Sequence, residues 1–325
     1  MRTLVCVLDW GLGHASRSLA LLDHSLLAGD EVFLASSGPA AQFLRRERPD
    51  LPLFELPAYA VRYPTGNMPL NVALQFPRWW WTARREGQAT RRLVREHRIN
   101  RIVSDNRFGC HVAGVPSVFL THQLHPITHS RPVSWLYRHY LKKFGEFWVP
   151  DTRDQQLSGE LSAPTGYENV RYIGPLSRLE SVAAEGDRLR TLSILSGPEP
   201  MRSRLEQALL TQLSRLPGRH HLVRGVPGTT DPPKREGIDI TSFADRTTLS
   251  KLIARADTII CRSGYSTLMD LAAVQYGGKL VLIPTPGQTE QEYLALAQVE
   301  SKGNRTKTLA QDRITELPEV LKNWD

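Results

Sequence analysis

The 325-residue chain has only three cysteines, Cys6, Cys110 and Cys261, and no CxxC pair. So odd and scattered a set argues against a disulfide framework and against a structural zinc site. Cys6 and Cys261 stand in apolar, strand-like runs, so buried free thiols in a reducing compartment are expected. No apolar run approaches the ~20 residues of a membrane-spanning helix. The apolar run that follows Arg2 is too short for a secretory signal and reads as a first strand. Neither GxxxxGKS nor GxxxxGKT occurs, which excludes a P-loop, and there is no DxD pair of acids. Acids are the scarcer charge, 33 Asp and Glu against 41 Lys and Arg, for a formal charge of +8. That balance favours anionic partners without choosing among nucleic acid, phosphorylated metabolites and acidic lipid surfaces.

What the chain does have is a repeated alternation of apolar runs with helix-patterned segments. LVCVL (4–8), EVFLASS (31–37), NRIVSDN (100–106), VPSVFLTHQ (115–123) and FGEFWVPD (144–151) read as strands. SRSLALLDHSLLAG (16–29), closing on Gly29, and PAAQFLRRER (39–48) read as helices between them. After a looser stretch, 158–187, the alternation restarts with strands over 190–197, 220–227, 257–264 and 278–286. Helices are expected over 199–216, 243–256, 265–275, 288–303 and 317–325. Strands separated by helices are the βαβ units of a parallel, helix-covered sheet. The expected class is α/β, in two Rossmann-like domains over 1–172 and 173–325, a number that the length suits.

Three strand-to-helix junctions carry small and polar residues: GLGHASRS, LSGPEPMRS and CRSGYSTLMD. In parallel sheets the carboxyl ends of the strands form the ligand crevice, and a helix start there offers N–H groups and a positive dipole end to phosphate. Glycine lets the backbone approach a ligand closely. At the first junction, Gly11, Gly13 and His14 fit either a ligand-facing turn or a tight turn capped by histidine. Ser16 stands where a dinucleotide fingerprint has its third glycine, which disfavours a nicotinamide cofactor. At the third, Arg262, Ser263, Gly264, Ser266 and Thr267 bring a guanidinium, hydroxyls and N–H groups to one helix start. Asp270 follows one turn on, where an acid can accept from ribose hydroxyls. An ordinary Ser/Thr capping turn is the plainer alternative. Gln288, Glu290, Gln291 and Glu292 open the last long helix; they suit sugar hydroxyls, or simply the helix dipole.

At this point a family resemblance enters. GLGHASRSLALLDHSLLAGDEVFLAS and ADTIICRSGYSTLMDLAAVQYGGKLVLIPTPGQTEQEYLALAQVESKG resemble the two signatures of GT-B glycosyltransferases. They are most similar to family 28, the lipid-linked peptidoglycan N-acetylglucosaminyltransferase group. VPSVFLTHQLHP resembles that group's His-rich loop, and SDNRFG, FWVPD and LSGPEPMR look like a variant of it. The resemblance implies two Rossmann-like domains with parallel sheets facing a central cleft, the acceptor side first and the nucleotide-sugar side second. It implies a UDP-linked donor such as UDP-GlcNAc, no cofactor, and an acceptor that is lipid-linked or a glycan. By match, Ser263, Gly264, Ser266 and Thr267 face diphosphate or nucleotide, Asp270 the ribose and Gln291 the donor sugar. Ser196 and Gly197 match a phosphate-facing turn, and His14 matches a catalytic base. Ala295 replaces an asparagine common in the group, and SGPEP replaces a glycine-rich loop, which leaves the sugar open.

The expected reaction is therefore an inverting, metal-independent glycosyl transfer. His14 takes the acceptor proton, Gly11 and Gly13 admit the pyrophosphate or sugar, and Arg262 and helix N–H groups stabilise the leaving diphosphate. Asp105 is a second base candidate, or a loop acid paired with Arg107. Arg17, Asn106, His122 and Gln123 are placed on the acceptor side. His122, His125 and His129 lie close together but without a carboxylate and with Pro126 among them, so no metal site is expected. The alternatives are a nucleotide-sugar hydrolase or epimerase of the same fold, and a non-catalytic nucleotide-sugar-binding protein. Residues 76–101 hold three adjacent tryptophans and eight arginines against two glutamates. They read first as a helix with tryptophans inward and arginines outward, next as a membrane-surface patch, and last as a nucleic-acid site. The expected location is the cytoplasm, with peripheral contact at the inner face of the membrane.

Overall fold

The computed structural model describes residues 1–10, 12–59, 68–127, 131–197, 199–226 and 235–324. The chain divides into two compact units, Met1–Arg178 and Leu179–Asp325. The division falls within the loose stretch. Arg178 donates to Glu47 at 2.7 Å and stays with the first unit, whereas the Glu180 N–H donates to Ser250 Oγ at 3.2 Å in the second.

The first unit is built on strands β1 (Arg2–Val7), β2 (Glu31–Ser36), β3 (Leu53–Glu55), β4 (Arg101–Asp105), β5 (Ser117–Leu120), β6 (Glu146–Val149) and β7 (Val170–Tyr172). All pair in parallel, in the order β3-β2-β1-β4-β5-β6-β7. Helices α1 (Leu12–Leu22), α2 (Gly38–Glu47), α3 (Met68–His97) and α4 (Arg131–Leu141) make connections between them. The chain steps outward from β1 to one edge, then returns to β4 and steps to the other. The switch point, where ligands bind in such sheets, is thus the carboxyl end of β1 and β4, where Val7 pairs with Asp105. Leu4, Cys6, Phe33, Ala35 and Ile102 pack in one core on this sheet, because strands covered by helices bury side chains on both faces.

The second unit repeats the plan with β8 (Leu189–Ile194), β9 (His220–Val223), β10 (Ile238–Thr241), β11 (Ala256–Cys261), β12 (Lys279–Leu282) and β13 (Thr306–Thr308). The order is β10-β9-β8-β11-β12-β13, again parallel. Its helices are α5 (Met201–Leu213), α6 (Arg246–Arg255), α7 (Tyr265–Ala273), α8 (Thr289–Lys302) and α9 (Leu317–Lys322). The switch point lies between β8 and β11, where Ile194 pairs with Cys261. The helix starts and stops follow local chemistry: the Asp245 carboxylate accepts from the Thr248 N–H at 2.8 Å to open α6, and Gly303 closes α8 at a φ of 57°. All three cysteines are free and buried.

Two departures from the sequence pattern are informative. The helix expected over 16–29 begins at Leu12 and ends at Leu22. His24 Nδ1 then accepts from the Leu26 N–H at 3.2 Å, opening a separate short turn that Gly29 follows at a φ of 77°. The strands the pattern did not separate are β3, β7, β10 and β13, and they are the four sheet edges. Edge strands are short and half-exposed, so they lack the apolar run that marks a central strand.

The loop after β4 passes very close to α3. A Cβ on Gly109 would stand 2.1 Å from the Ala83 carbonyl oxygen and 2.6 Å from Glu86 Cβ. Gly109→Ala should therefore cost about 1–3 kcal/mol or more in urea unfolding. Gly145→Ala, whose Cβ would meet nothing within 4 Å, should shift stability by less than about 0.5 kcal/mol.

Candidate active site

The first unit gathers its chemistry at its switch point. Asp105 ends β4, is fully buried, and hands the chain to Asn106 in a left-handed turn at a φ of 54°. His14, Arg17 and Ser18 sit three and four residues apart at the start of α1, so they share one helix face. All three reach the Asp105 carboxylate: His14 Nδ1 at 2.9 Å, Arg17 Nε at 3.1 and 3.0 Å to the two oxygens, and Ser18 Oγ at 2.9 Å. Arg17 Nη2 makes a further, shorter bond to the same carboxylate. Arg17 Nη1 lies 3.2 Å from Nδ1 of His122, which follows β5.

These partners constrain the protons. The Asp105 carboxylate can only accept and the Arg17 guanidinium only donate, and both stand 2.9 Å from His14 Nδ1; with the Nδ1 proton turned to Asp105, Nε2 keeps a lone pair. Arginine can only donate, so His122 accepts at Nδ1. Burial by itself would raise the Asp105 carboxyl, but the Arg17 guanidinium, then His14, hold it well below the usual carboxylate range. Burial lowers His14, with Asp105 opposing and Arg17 adding to the effect. His14 keeps 17% of its side chain exposed, so it is the member of the cluster that solvent or a substrate can reach.

Several expectations change here. Asp105 does not pair with Arg107. The Arg107 guanidinium, itself buried, donates to Glu86 at 2.6 Å, Ser37 Oγ at 2.5 Å and the Val7 carbonyl at 2.7 Å. Glu86 also accepts from the Tyr59 hydroxyl at 2.7 Å and the Gly109 N–H at 3.1 Å. This second buried network ties α3 to the end of β1, and the sequence pattern had no signal for it. Arg17 is 2% exposed and committed to Asp105, so it does not stand open to an acceptor. Gln123 is half-buried, its N–H donating to Thr121 Oγ1 at 3.0 Å. Gly13 lies in the first turn of α1; Gly11 and His129 fall outside the described residues. His125 Nε2 bonds the Ala163 carbonyl at 3.1 Å, away from Arg17's partner His122. Among the described residues no group of three metal-ligating side chains comes together.

In the second unit, Ser196 and Gly197, the latter at a φ of 104°, follow β8, which pairs with β11, the strand before α7. Gly264 caps α7 without a side-chain bond of its own. Ser266, Thr267 and Asp270 lie half-buried on that helix. Gln288 and Glu290 sit half-buried at the start of α8. Three residues expected to meet the donor are instead struts. Ser263 is buried and its hydroxyl donates to the Gln291 carbonyl at 2.7 Å. The Gln291 amide accepts from the Thr285 N–H at 2.8 Å and donates to Gln288 Oε1 at 2.5 Å. Arg262 is 1% exposed and donates to the carbonyls of Ile283, Pro284 and Met201 at 3.0–3.2 Å and to Gln311 at 2.7 Å. With no acid beside it, burial lowers this guanidinium to about 10. A buried cation surrounded by neutral acceptors braces the turn rather than meeting phosphate.

The tryptophan segment divides three ways on α3. Trp79 is half-buried 5.9 Å from the Trp10 ring, Trp80 lies under the Arg84 guanidinium at 3.8 Å, and Trp81 is 61% exposed. Between α3 and α4 runs a groove of about 460 Å³ whose lining includes Trp80, Arg84, Arg91, His111, Trp135 and Lys143. Burial, then Lys143 and Arg91, lower His111 to about 4, so its ring is neutral. Among the described residues no helix is long and apolar enough to cross a membrane.

Comparison with known proteins bears on both units. Residues 207–325 match the model of the glycosyltransferase family 28 C-terminal domain. A UDP-N-acetylglucosamine–N-acetylmuramyl-(pentapeptide) pyrophosphoryl-undecaprenol N-acetylglucosamine transferase of Pasteurella multocida (strain Pm70) is 31% identical over 180 residues, 50% of this chain and 49% of that protein. The chain thus spans about half the length of that curated relative. The structure of spinosyn rhamnosyltransferase SpnG complexed with thymidine diphosphate superposes over 99% of this chain and 92% of its own, with a TM-score of 0.63 at 16% identity. Acinetobacter baumannii MurG superposes over 99% and 90%, with a TM-score of 0.59 at 14% identity. The fold is GT-B, and the resemblance to family 28 read from the RSG helix holds in the unit that carries that helix.

The bracing role of Arg262 has a measurable consequence. Arg262→Met strands four acceptors and should lower stability to urea by about 2–4 kcal/mol. A variant of unchanged stability that no longer bound nucleotide would instead make Arg262 a ligand group.

Proposed function

We propose that this chain, whose second unit matches the family 28 C-terminal domain, is an inverting, metal-independent glycosyltransferase. It moves a sugar from a UDP-linked donor such as UDP-GlcNAc to a hydroxyl acceptor. The observation that carries the reading is the His14–Asp105 pair at the switch point of the first unit: an imidazole whose Nδ1 lies 2.9 Å from the buried carboxylate and which, with its proton there, can accept at Nε2. The acceptor hydroxyl gives its proton to His14 Nε2 as its oxygen attacks C1 of the donor sugar. The bond from C1 to the diphosphate oxygen breaks, and the nucleoside diphosphate leaves with that electron pair. One displacement inverts C1. The start of α7 receives the diphosphate, Asp270 the ribose, and Gln288 and Glu290 the sugar. The positive end of a helix does for the leaving group what a metal would otherwise do.

The acceptor is proposed to be lipid-linked, which brings the protein to the cytoplasmic face of the membrane as a peripheral enzyme. The groove between α3 and α4 supports this. Trp81 and Trp135 are 61% and 63% exposed, and Arg84, Arg91 and Lys143 line the groove with no carboxylate paired to them among the described residues. Tryptophan with cationic side chains is the composition of an interfacial surface.

Purified protein should release nucleotide from one member of a nucleotide-sugar panel, and only when an acceptor is added. Release without acceptor would identify a hydrolase; binding without release would identify a sensor. His14→Ala should lower the rate by about 100-fold or more while donor affinity changes by less than about 2-fold. In sedimentation with vesicles, the double variant Trp81→Ser, Trp135→Ser should bind phosphatidylglycerol-containing vesicles at least about 10-fold more weakly than the native chain. Equal binding would remove the membrane surface from the reading.

A further inference from the structure

We propose that Arg17 is a positioning residue that keeps His14 available as a base, by taking up the Asp105 charge that would otherwise hold His14 as imidazolium. The inference deepens the transferase reading and rests on it for the identity of the base. Its physical basis does not need turnover.

A histidine against a buried carboxylate has a default outcome. The pair gains most when the histidine takes a proton and forms an ion pair, and an imidazolium cannot accept another proton. Asp105 is fully buried and 2.9 Å from His14 Nδ1, so this chain faces that problem directly. Arg17 answers it. Its Nε bridges both carboxylate oxygens, and its Nη2 bonds one of them again. A forked guanidinium on a carboxylate is the stronger partnership, and arginine never gives up its charge. The buried group is then a neutral Arg17–Asp105 pair with His14 as a third member. Asp105 still orients the ring through Nδ1, while little uncompensated negative charge remains to attract a second proton.

Arg17 also acts on His14 directly. Its Nη2 lies 2.9 Å from His14 Nδ1, so an imidazolium at that place meets a guanidinium at contact distance. The groups facing His14 are Asp105 from the end of β4, Arg17 from its own helix and His122 from the end of β5. Of these only Asp105 favours a charged ring; Arg17 and His122 oppose it. The arrangement makes His14 a weak base in the resting state. It accepts the acceptor proton as the new bond forms and returns it to water afterwards. The 2% exposure of Arg17 fits this role and not substrate contact.

The test is a pH titration of the full chain labelled with 15N-histidine, with His14→Gln to assign the resonance. In the native chain His14 should be neutral at pH 7, with its proton on Nδ1. A proton on Nε2, or an imidazolium at pH 7, overturns the proposal without any variant. In Arg17→Met the His14 pKa should rise by at least one unit, a tenfold gain in proton affinity. In Arg17→Lys, which keeps the charge, it should stay within about half a unit. The acid limb of kcat/KM should move up with the titration, so that Arg17→Met is depressed at pH 7 and recovers toward pH 9. A variant that folds but loses rate equally at every pH, with His14 titrating as in the native chain, makes Arg17 merely structural. If no transferase activity is found, the titration still decides what Arg17 does to His14.

Discussion

The first unit depends on one buried negative charge. Asp105 sits at the end of a central strand, out of water, and would be costly there without donors. His14, Arg17 and Ser18 supply them, all from the first two turns of α1. The same bonds that satisfy the carboxylate therefore fix the start of α1 against β4 and aim the one partly exposed member, His14, outward. Folding and the proposed chemistry use a single set of contacts, so a change at Asp105 or Arg17 bears on both. A second buried pair, Arg107 with Glu86, does comparable work for α3 without approaching His14, and shows that burying a charge does not by itself mark a functional site.

The second unit solves a different problem with neutral groups. A turn proposed to take diphosphate needs open N–H groups and a rigid frame. Gly264 leaves the first turn of α7 without a side-chain cap, while Ser263, Gln291 and Thr285 bond one another behind it. Arg262 reinforces the frame from beneath through three backbone carbonyls and Gln311. Several residues that look like ligands in the sequence thus act one layer back. Their polarity is needed because the turn is buried, and buried polar backbone must find partners.

Much of the architecture was legible beforehand because central parallel strands are continuous apolar runs and their helices carry recognisable starts and stops. LVCVL and DTIIC announce β1 and β11, and Asp245 and Gly303 announce two helix ends. Strands β3, β7, β10 and β13 were not legible. At a sheet edge three or four half-exposed residues can complete the pairing, and so short a stretch has no distinctive period. The site was legible in part. His14, Asp105 and the RSG helix stand out by residue type and by position at strand ends. The roles of Arg17, Arg262, Ser263 and Gln291 did not, since a side chain at a strand end can turn toward a ligand or back into the protein with the same sequence.

By itself, the sequence determined the two α/β units, the junctions where chemistry gathers and the resemblance to family 28. Those properties depend on local period, on glycine and capping residues, and on motif order, all of which lie within short spans of chain. Only tertiary structure decided which acid holds which arginine. Asp105 is two residues from Arg107 but 88 from Arg17, and it pairs with the distant one. Partner choice is set by where strands and helices deliver side chains in space, because a buried charge takes the donors that surround it and not those nearest along the chain.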